Sequence, residues 1–233
     1  MPPIIMLHEG LGSVSMWKDF PQVLASRTGS EVILYSRAGY GQSSPVSLPR
    51  DVRYMHDEGL HVLPDLIRSL DVSRPLLLGH SDGGSIALIC AGGSNVALSG
   101  LMLMAPHIFV ERITVDSIAQ AREAWRSTNL RERLGRYHDD VDSVFTGWND
   151  IWLHEKFLHW NIEEYLPAID IPLLAIQGED DEYGTMAQID GIVQAVPDTE
   201  LLKLAQCRHS PHRDQPEAVL EAINRFIQEK VVT

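Results

Sequence analysis

The chain has 233 residues, 44% of them hydrophobic and 22% charged, which suits one globular domain with an insertion and a sizeable core. A net charge of −13 argues against nucleic acid and anionic membrane surfaces as partners. No run is apolar enough to span a bilayer, and no basic segment leads into an apolar core as in a signal peptide. Two cysteines, Cys90 and Cys207, make no disulfide framework and fit free thiols in a reducing cytoplasm.

In chain order the pattern alternates between strand and helix. Ile4 to Leu7 is a short buried strand, and Met16 to Ser26 carries Trp17, Phe20, Val23 and Leu24 at helical spacing. Glu31 to Tyr35 is a strand, and Asp51 to Leu70 a helix with Asp51 placed to cap it. A strand at Leu76 to Leu78 runs into Gly79-His80-Ser81-Asp82-Gly83-Gly84, then a helix that includes Ser85 to Cys90. Strands at Leu101 to Ala105, Pro172 to Ile176 and Leu201 to Leu204 follow. An amphipathic helix over Pro216 to Gln228 closes the chain, with Ala218, Val219, Ala222, Ile223, Phe226 and Ile227 on one face. This alternation predicts an α/β fold, a mostly parallel sheet flanked by helices, with its site at the carboxyl ends of the strands.

Those ends carry the polar signals. Gly79-x-Ser81-x-Gly83 between a strand and a helix places a hydroxyl at the sheet edge, beside a helix N-terminus. His8-Glu9-Gly10-Leu11-Gly12 follows the first strand, and Ser36-Arg37-Ala38-Gly39-Tyr40-Gly41-Gln42-Ser43 the second. Gly178-Glu179-Asp180-Asp181-Glu182 follows the strand at Leu173, and Cys207-Arg208-His209-Ser210-Pro211-His212 the last. The order Ser, acid, His on three strand ends is more specific than any one of these motifs.

With these motifs the sequence resembles the α/β-hydrolases over nearly its whole length except the middle. The resemblance implies hydrolysis of an ester, thioester, lactone, amide or C–C bond. It implies Ser81 as nucleophile, Asp181 as the orienting acid and His209 as the base, with His212 the rival base and Asp180 and Glu179 the rival acids. It implies an oxyanion hole from the backbone N–H groups of Asp82 and Gly10, with Leu11 the rival second donor, because Glu9 stands where a glycine is usual. The chain starts only a few residues before its first strand, whereas such proteins have two further strands there. The expected result is an exposed edge at Ile4 to Leu7 or its neighbour, covered by a homodimer partner or left to cost stability.

Residues 1–106 and 167–233 are expected to form the core, and 107–166 a helical cap over the serine. That segment holds four of the five tryptophans. Most are expected to pack within the cap, with Trp148 and Trp152, beside Glu9 and Leu11, assigned to the substrate pocket. His107, His138, His154 and His159 have no metal-ligand spacing, so neither metal nor cofactor is expected, only a small-molecule substrate. Glu9, Asp82 and the acidic run near Asp181 suggest a neutral or cationic substrate. The Ser81-Asp82 pair is similar to that of valacyclovir-hydrolase-like enzymes, which makes an amino-acid ester the alternative substrate. Ser81 argues against the aspartate-nucleophile dehalogenases and epoxide hydrolases, and Ser210 against the C–C hydrolases with tryptophan after the histidine. A non-catalytic binder on this fold is the alternative of another class.

Overall fold

The computed structural model describes residues 1–232. Its six strands are β1 (Ile4–Leu7), β2 (Val32–Leu34), β3 (Leu76–His80), β4 (Gly100–Met104), β5 (Leu173–Gly178) and β6 (Glu200–Leu204). They form one sheet in the order β2-β1-β3-β4-β5-β6, every pair parallel. The four inner strands are buried on both faces, which is why they read as continuous apolar runs. Alternate residues feed two cores. Ile5, Leu7, Leu77, Leu101, Leu103 and Leu173 face one side; Ile4, Met6, Leu76, Leu78, Met102 and Leu174 face the other. The edges look different in sequence for the same reason. β2 is half-buried throughout, and β6 alternates exposed and less exposed positions. The edge beside β1 is thus β2, the neighbour of Ile4 to Leu7.

The helices are α1 (Phe20–Thr28), α2 (Tyr54–Asp57), α3 (Leu63–Ser69), α4 (Asp82–Gly93), α5 (Arg112–Ser127), α6 (Leu130–Leu134), α7 (Val141–Trp152), α8 (Ala187–Ala195), α9 (Pro211–Asp214) and α10 (Pro216–Phe226). Two expected helices are corrected. Met16 to Ser26 divides into a 3₁₀ turn at Val14–Trp17 and α1, broken by Lys18 at φ 57°. Pro21, which has no N–H to give, stands in the first turn of α1 rather than in a helix interior. Asp51 to Leu70 divides into α2, a π-turn at Glu58–Val62, and α3 with Pro64 in its first turn. Asp51 still serves this start, as its Oδ1 accepts from Arg53 N–H at 2.8 Å.

Sheet order locates the site. From β1 the chain crosses to β2 on one side; from β3 it crosses to β4 on the other. The carboxyl ends of β1 and β3 therefore flank the point where the winding reverses, the place where a crevice opens in such sheets. Leu7 is in register with Gly79, which sets the residues after Leu7 beside Ser81.

Candidate active site

Ser81 sits between β3 and α4 at φ 53°, ψ −120°, a conformation unfavourable for a residue with a Cβ. Its N–H donates to Met104 O at 2.9 Å, so the adjacent strand holds the turn. The neighbouring glycines are needed for close approach. A Cβ on Gly79 would stand 2.4 Å from Gly83 O, and one on Gly83 2.2 Å from Leu7 O. Such strain costs about 1–3 kcal/mol. Burying one leucine or isoleucine contributes about 1.5–3 kcal/mol, so the fully buried strands beneath readily offset it.

His209 Nδ1 lies 2.8 Å from Asp181 Oδ1 and 3.0 Å from Oδ2, and its Nε2 lies 3.0 Å from Ser81 Oγ. With the Nδ1 proton directed at the carboxylate, Nε2 is left to accept the serine proton. Burial alone would lower the His209 pKa, but the charge and hydrogen bond of Asp181, aided by Glu9 and Glu182, raise it above its ordinary value. Burial alone would raise that of Asp181, yet the His209 imidazole and the Tyr183 N–H at 2.8 Å hold it lower. The loops after β5 and β6 are tied together: Asp180 N–H donates to Cys207 O at 3.0 Å, and a Cβ on Gly178 would stand 2.1 Å from the same oxygen.

The rivals lie elsewhere. Glu179 and Asp180 are exposed, whereas Asp181 is buried. His212 packs against Trp17 and Phe20, with ring centroids 4.9 and 5.4 Å apart, and burial beside Arg213 pushes its pKa down to about 3. His80, inside the serine motif, has Nε2 2.7 Å from the His209 carbonyl and donates to it.

The loop after β1 is fixed from beneath. Buried Arg37 donates to His8 O at 2.5 Å and Glu9 O at 3.1 Å, while its own N–H donates to His8 Nε2 at 3.1 Å. Glu9 turns its carboxylate back onto Leu11 N–H at 2.6 Å, which engages that donor and leaves Gly10 N–H as the alternative. A Cβ on Gly10 would stand 2.3 Å from Trp148 Nε1, so any larger residue there must displace the Trp148 ring. Asp82 is wholly buried. Tyr54 OH donates to its Oδ2 at 2.7 Å, and Oδ1 has no hydrogen-bond partner among the described residues. Its pKa is raised by burial and lowered in part by Arg37, the Tyr54 hydroxyl, Arg50 and the nearby Trp152 indole.

A cavity of 240 Å³ opens on Ser81 and His209. Glu9, Gly10, Leu11, Asp82, Trp148 and Trp152 all line it, so the sequence-derived positions other than Asp181 reach its wall. Asp181 stands behind His209. Of the four tryptophans in the segment between β4 and β5, Trp148 and Trp152 face this space. Trp125 stacks on Phe145 at 4.1 Å and Trp160 on Phe157 at 5.4 Å. Sequence reasoning missed Met16, His107, Arg133, Leu134, Tyr183 and Arg213 as lining residues. His107 follows β4 directly, and the Tyr183 ring lies 4.8 Å from that of His209. Position after a strand end is a signal for His107; Arg133 and Leu134 lie in the short helix α6, with no motif around them. Among the described residues no group of three His, Cys, Asp or Glu side chains is placed to hold a metal, and no helix is long and apolar enough to cross a membrane.

Comparison with known proteins extends this geometry. The model of the alpha/beta hydrolase family matches residues 4–222. Polyketide synthase ThaQ of Burkholderia thailandensis is 25% identical over 266 residues, a match that takes in 97% of this chain but 12% of ThaQ. The sn-1-specific diacylglycerol lipase ABHD11 of Danio rerio is 22% identical over 261 residues, covering 97% of this chain and 78% of that protein. A crystal structure of a bacterial membrane phospholipase A superposes with a TM-score of 0.78 at 18% identity, over 97% of this chain and 78% of that one, and so shares its fold.

Proposed function

The chain belongs to the alpha/beta hydrolase family and is a hydrolase; on that premise we propose that it cleaves small carboxylic esters, or related lactones, thioesters or amides, through an acyl-enzyme on Ser81. The observation that carries this reading is the unbroken line Asp181–His209–Ser81, with contacts of 2.8 and 3.0 Å. Ser81 Oγ attacks the substrate carbonyl carbon and gives its proton to His209 Nε2. Asp181 holds the imidazole in the tautomer that accepts there and stabilises the imidazolium that results. The N–H groups of Gly10 and Asp82 receive the developing oxyanion. As the carbonyl re-forms, the bond to the leaving group breaks and the departing atom (oxygen in an ester, sulfur or nitrogen in a thioester or amide) takes the proton from Nε2. Water then attacks the acyl-serine, gives a proton to His209, and the acid leaves as Ser81 recovers its hydrogen. Residues 107–166 act as a cap over this chemistry, with residues 1–106 and 167–233 as the core. Support for esters comes from a relative named as a diacylglycerol lipase.

A second reading, an aminoacyl ester as substrate, is favoured by the unpartnered Asp82 Oδ1 at the cavity wall. Against it, Arg37 and Arg50 already lie close enough to offset the charge of Asp82. The test is rapid mixing with p-nitrophenyl butyrate. A burst of p-nitrophenol equal to the enzyme, followed by slower steady turnover, is expected. A folded protein without burst or turnover would leave the non-catalytic binder. A valyl ester preferred over its des-amino analogue, with the preference lost in Asp82→Asn, would establish the second reading.

A further inference from the structure

Next to the catalytic cavity lies a larger cleft of 630 Å³, and Met16, Arg133, Leu134 and Arg213 line both spaces. The cleft is basic. Its cations are Lys18, Arg133, Arg136 and Arg213; its carboxylates are Asp19 and Glu217. Glu217 is engaged outside the group by Arg27 at 2.5 Å, and Arg136 pairs with Glu132 at 3.4 Å. Among the described residues, Lys18, Arg133 and Arg213 have no carboxylate within 4.0 Å. Lys18 Nζ instead donates to Tyr137 OH at 2.5 Å, and Arg213 Nη2 to Met16 O at 3.1 Å, which orient both cations without neutralising them. In a chain with 32 acidic and 19 basic side chains, a cleft with this excess of positive charge runs against the composition. Three separate segments supply it: the 3₁₀ turn and Lys18, helix α6, and helix α9.

Size argues for joint use of the two spaces. At about 30 Å³ per water, 240 Å³ holds the volume of roughly eight waters, enough for a short acyl group and little more. Met16, Arg133, Leu134 and Arg213 stand where this space adjoins the cleft, so the part of a longer substrate that extends in that direction meets both arginines. We infer that the cleft is a subsite for an anionic group, a carboxylate or phosphate, carried by the substrate away from its scissile carbonyl. This inference rests on the hydrolase reading above and names its substrate class. It also revises the expectation of a neutral or cationic substrate, which took account of Glu9, Asp82 and the acidic run near Asp181 but not of α6 and α9.

The test compares matched substrates in the intact enzyme. One pair is mono-p-nitrophenyl glutarate and p-nitrophenyl pentanoate, which differ by a carboxylate at the far end of the acyl chain. The other is S-butyryl-4'-phosphopantetheine and S-butyryl-pantetheine, which differ by one phosphate on the leaving group. For each pair the ratio of kcat/KM, anionic over neutral, is measured in wild type, Lys18→Gln, Arg133→Gln, Arg213→Gln and Arg126→Gln. Arg126 is a control of equal charge change, paired with Glu123 on α5. The ratio of one pair is expected to fall about two- to five-fold for each cleft cation removed, and to fall with added salt, while Arg126→Gln leaves it in place. A response in the first pair assigns the cleft to the acyl side; in the second, to the leaving group. Ratios unmoved by the three cleft variants, or moved equally by Arg126→Gln, overturn the inference while leaving the hydrolase reading intact. No turnover of either neutral substrate by wild type removes both.

Discussion

Two regions face Ser81, and they are built by different means. The strand ends place their residues through the backbone. Ser81 is held at positive φ, and Gly79, Gly83 and Gly178 each lie where a Cβ would meet a backbone oxygen at 2.1 to 2.4 Å. The segment between β4 and β5 places Trp148, Trp152, Arg133 and Leu134 on α6 and α7 through helix packing and side-chain ties, Asn149 Nδ2 donating to Ile118 O and Arg131 to Asp142. The first kind of placement leaves a short motif in the sequence; the second leaves only an amphipathic pattern. On the proposed mechanism chemistry belongs to the strand ends and substrate choice to the insertion, and that division can be broken or sharpened by substitution.

The largest effects should come from the strand ends. Ser81→Ala and His209→Ala are each expected to reduce kcat with p-nitrophenyl butyrate by roughly 10⁴- to 10⁶-fold, with little change in thermal midpoint. A residual rate near wild type would remove the chemical role from that region. Asp181→Asn should cost about 10⁴-fold, because the amide no longer holds the Nδ1–H tautomer of His209. Its pH profile carries a sign. In the proposed mechanism His209 acts as base when neutral, and Asp181 raises its pKa, so wild-type kcat/KM should fall as pH drops through a value above 6.5. In Asp181→Asn that limb should move to lower pH; a limb that stays in place would exclude this ion pair as its origin.

Smaller effects should come from the insertion. Trp148→Ala and Trp152→Ala are expected to change KM and the order of preference among acyl chains by about ten-fold, with kcat for the best ester held within that range. A loss of 10⁴-fold would place chemistry in the insertion and break the division. The smallest effect belongs to His212→Ala, which should leave kcat within about three-fold, since the imidazole sits among Trp17, Phe20 and His80 rather than against Ser81. An inactive His212→Ala of native stability would mean that the base has been misassigned.

The same division explains what was legible in the sequence. The inner strands could be read because burial on both faces demands unbroken apolar runs, as at Ile4–Leu7 and Gly100–Met104. The three residues that the motifs bring forward, Ser81, Asp181 and His209, are the ones the fold draws within hydrogen-bond distance. The helix over Asp51 to Leu70 was not legible as it stands, because the π-turn at Glu58–Val62, just before Pro64 in the first turn of α3, leaves the apolar spacing looking like one helix. Nor was the reach of Arg133 and Arg213 into the cavity wall, since they lie 80 residues apart and come to one wall, with Met16, only in the fold. The basic character of the neighbouring cleft escaped the sequence for that reason: the acidic residues of the site follow strand ends, whereas Arg133 and Arg213 lie on helices.

The central claim is that Ser81 is a nucleophile activated by His209. It is tested most directly by intact mass spectrometry after incubation with a fluorophosphonate. Wild type is expected to gain the mass of one adduct, and Ser81→Ala none, with His209→Ala labelled far more slowly. An adduct of equal yield on Ser81→Ala, or no adduct on folded wild type, would contradict the claim.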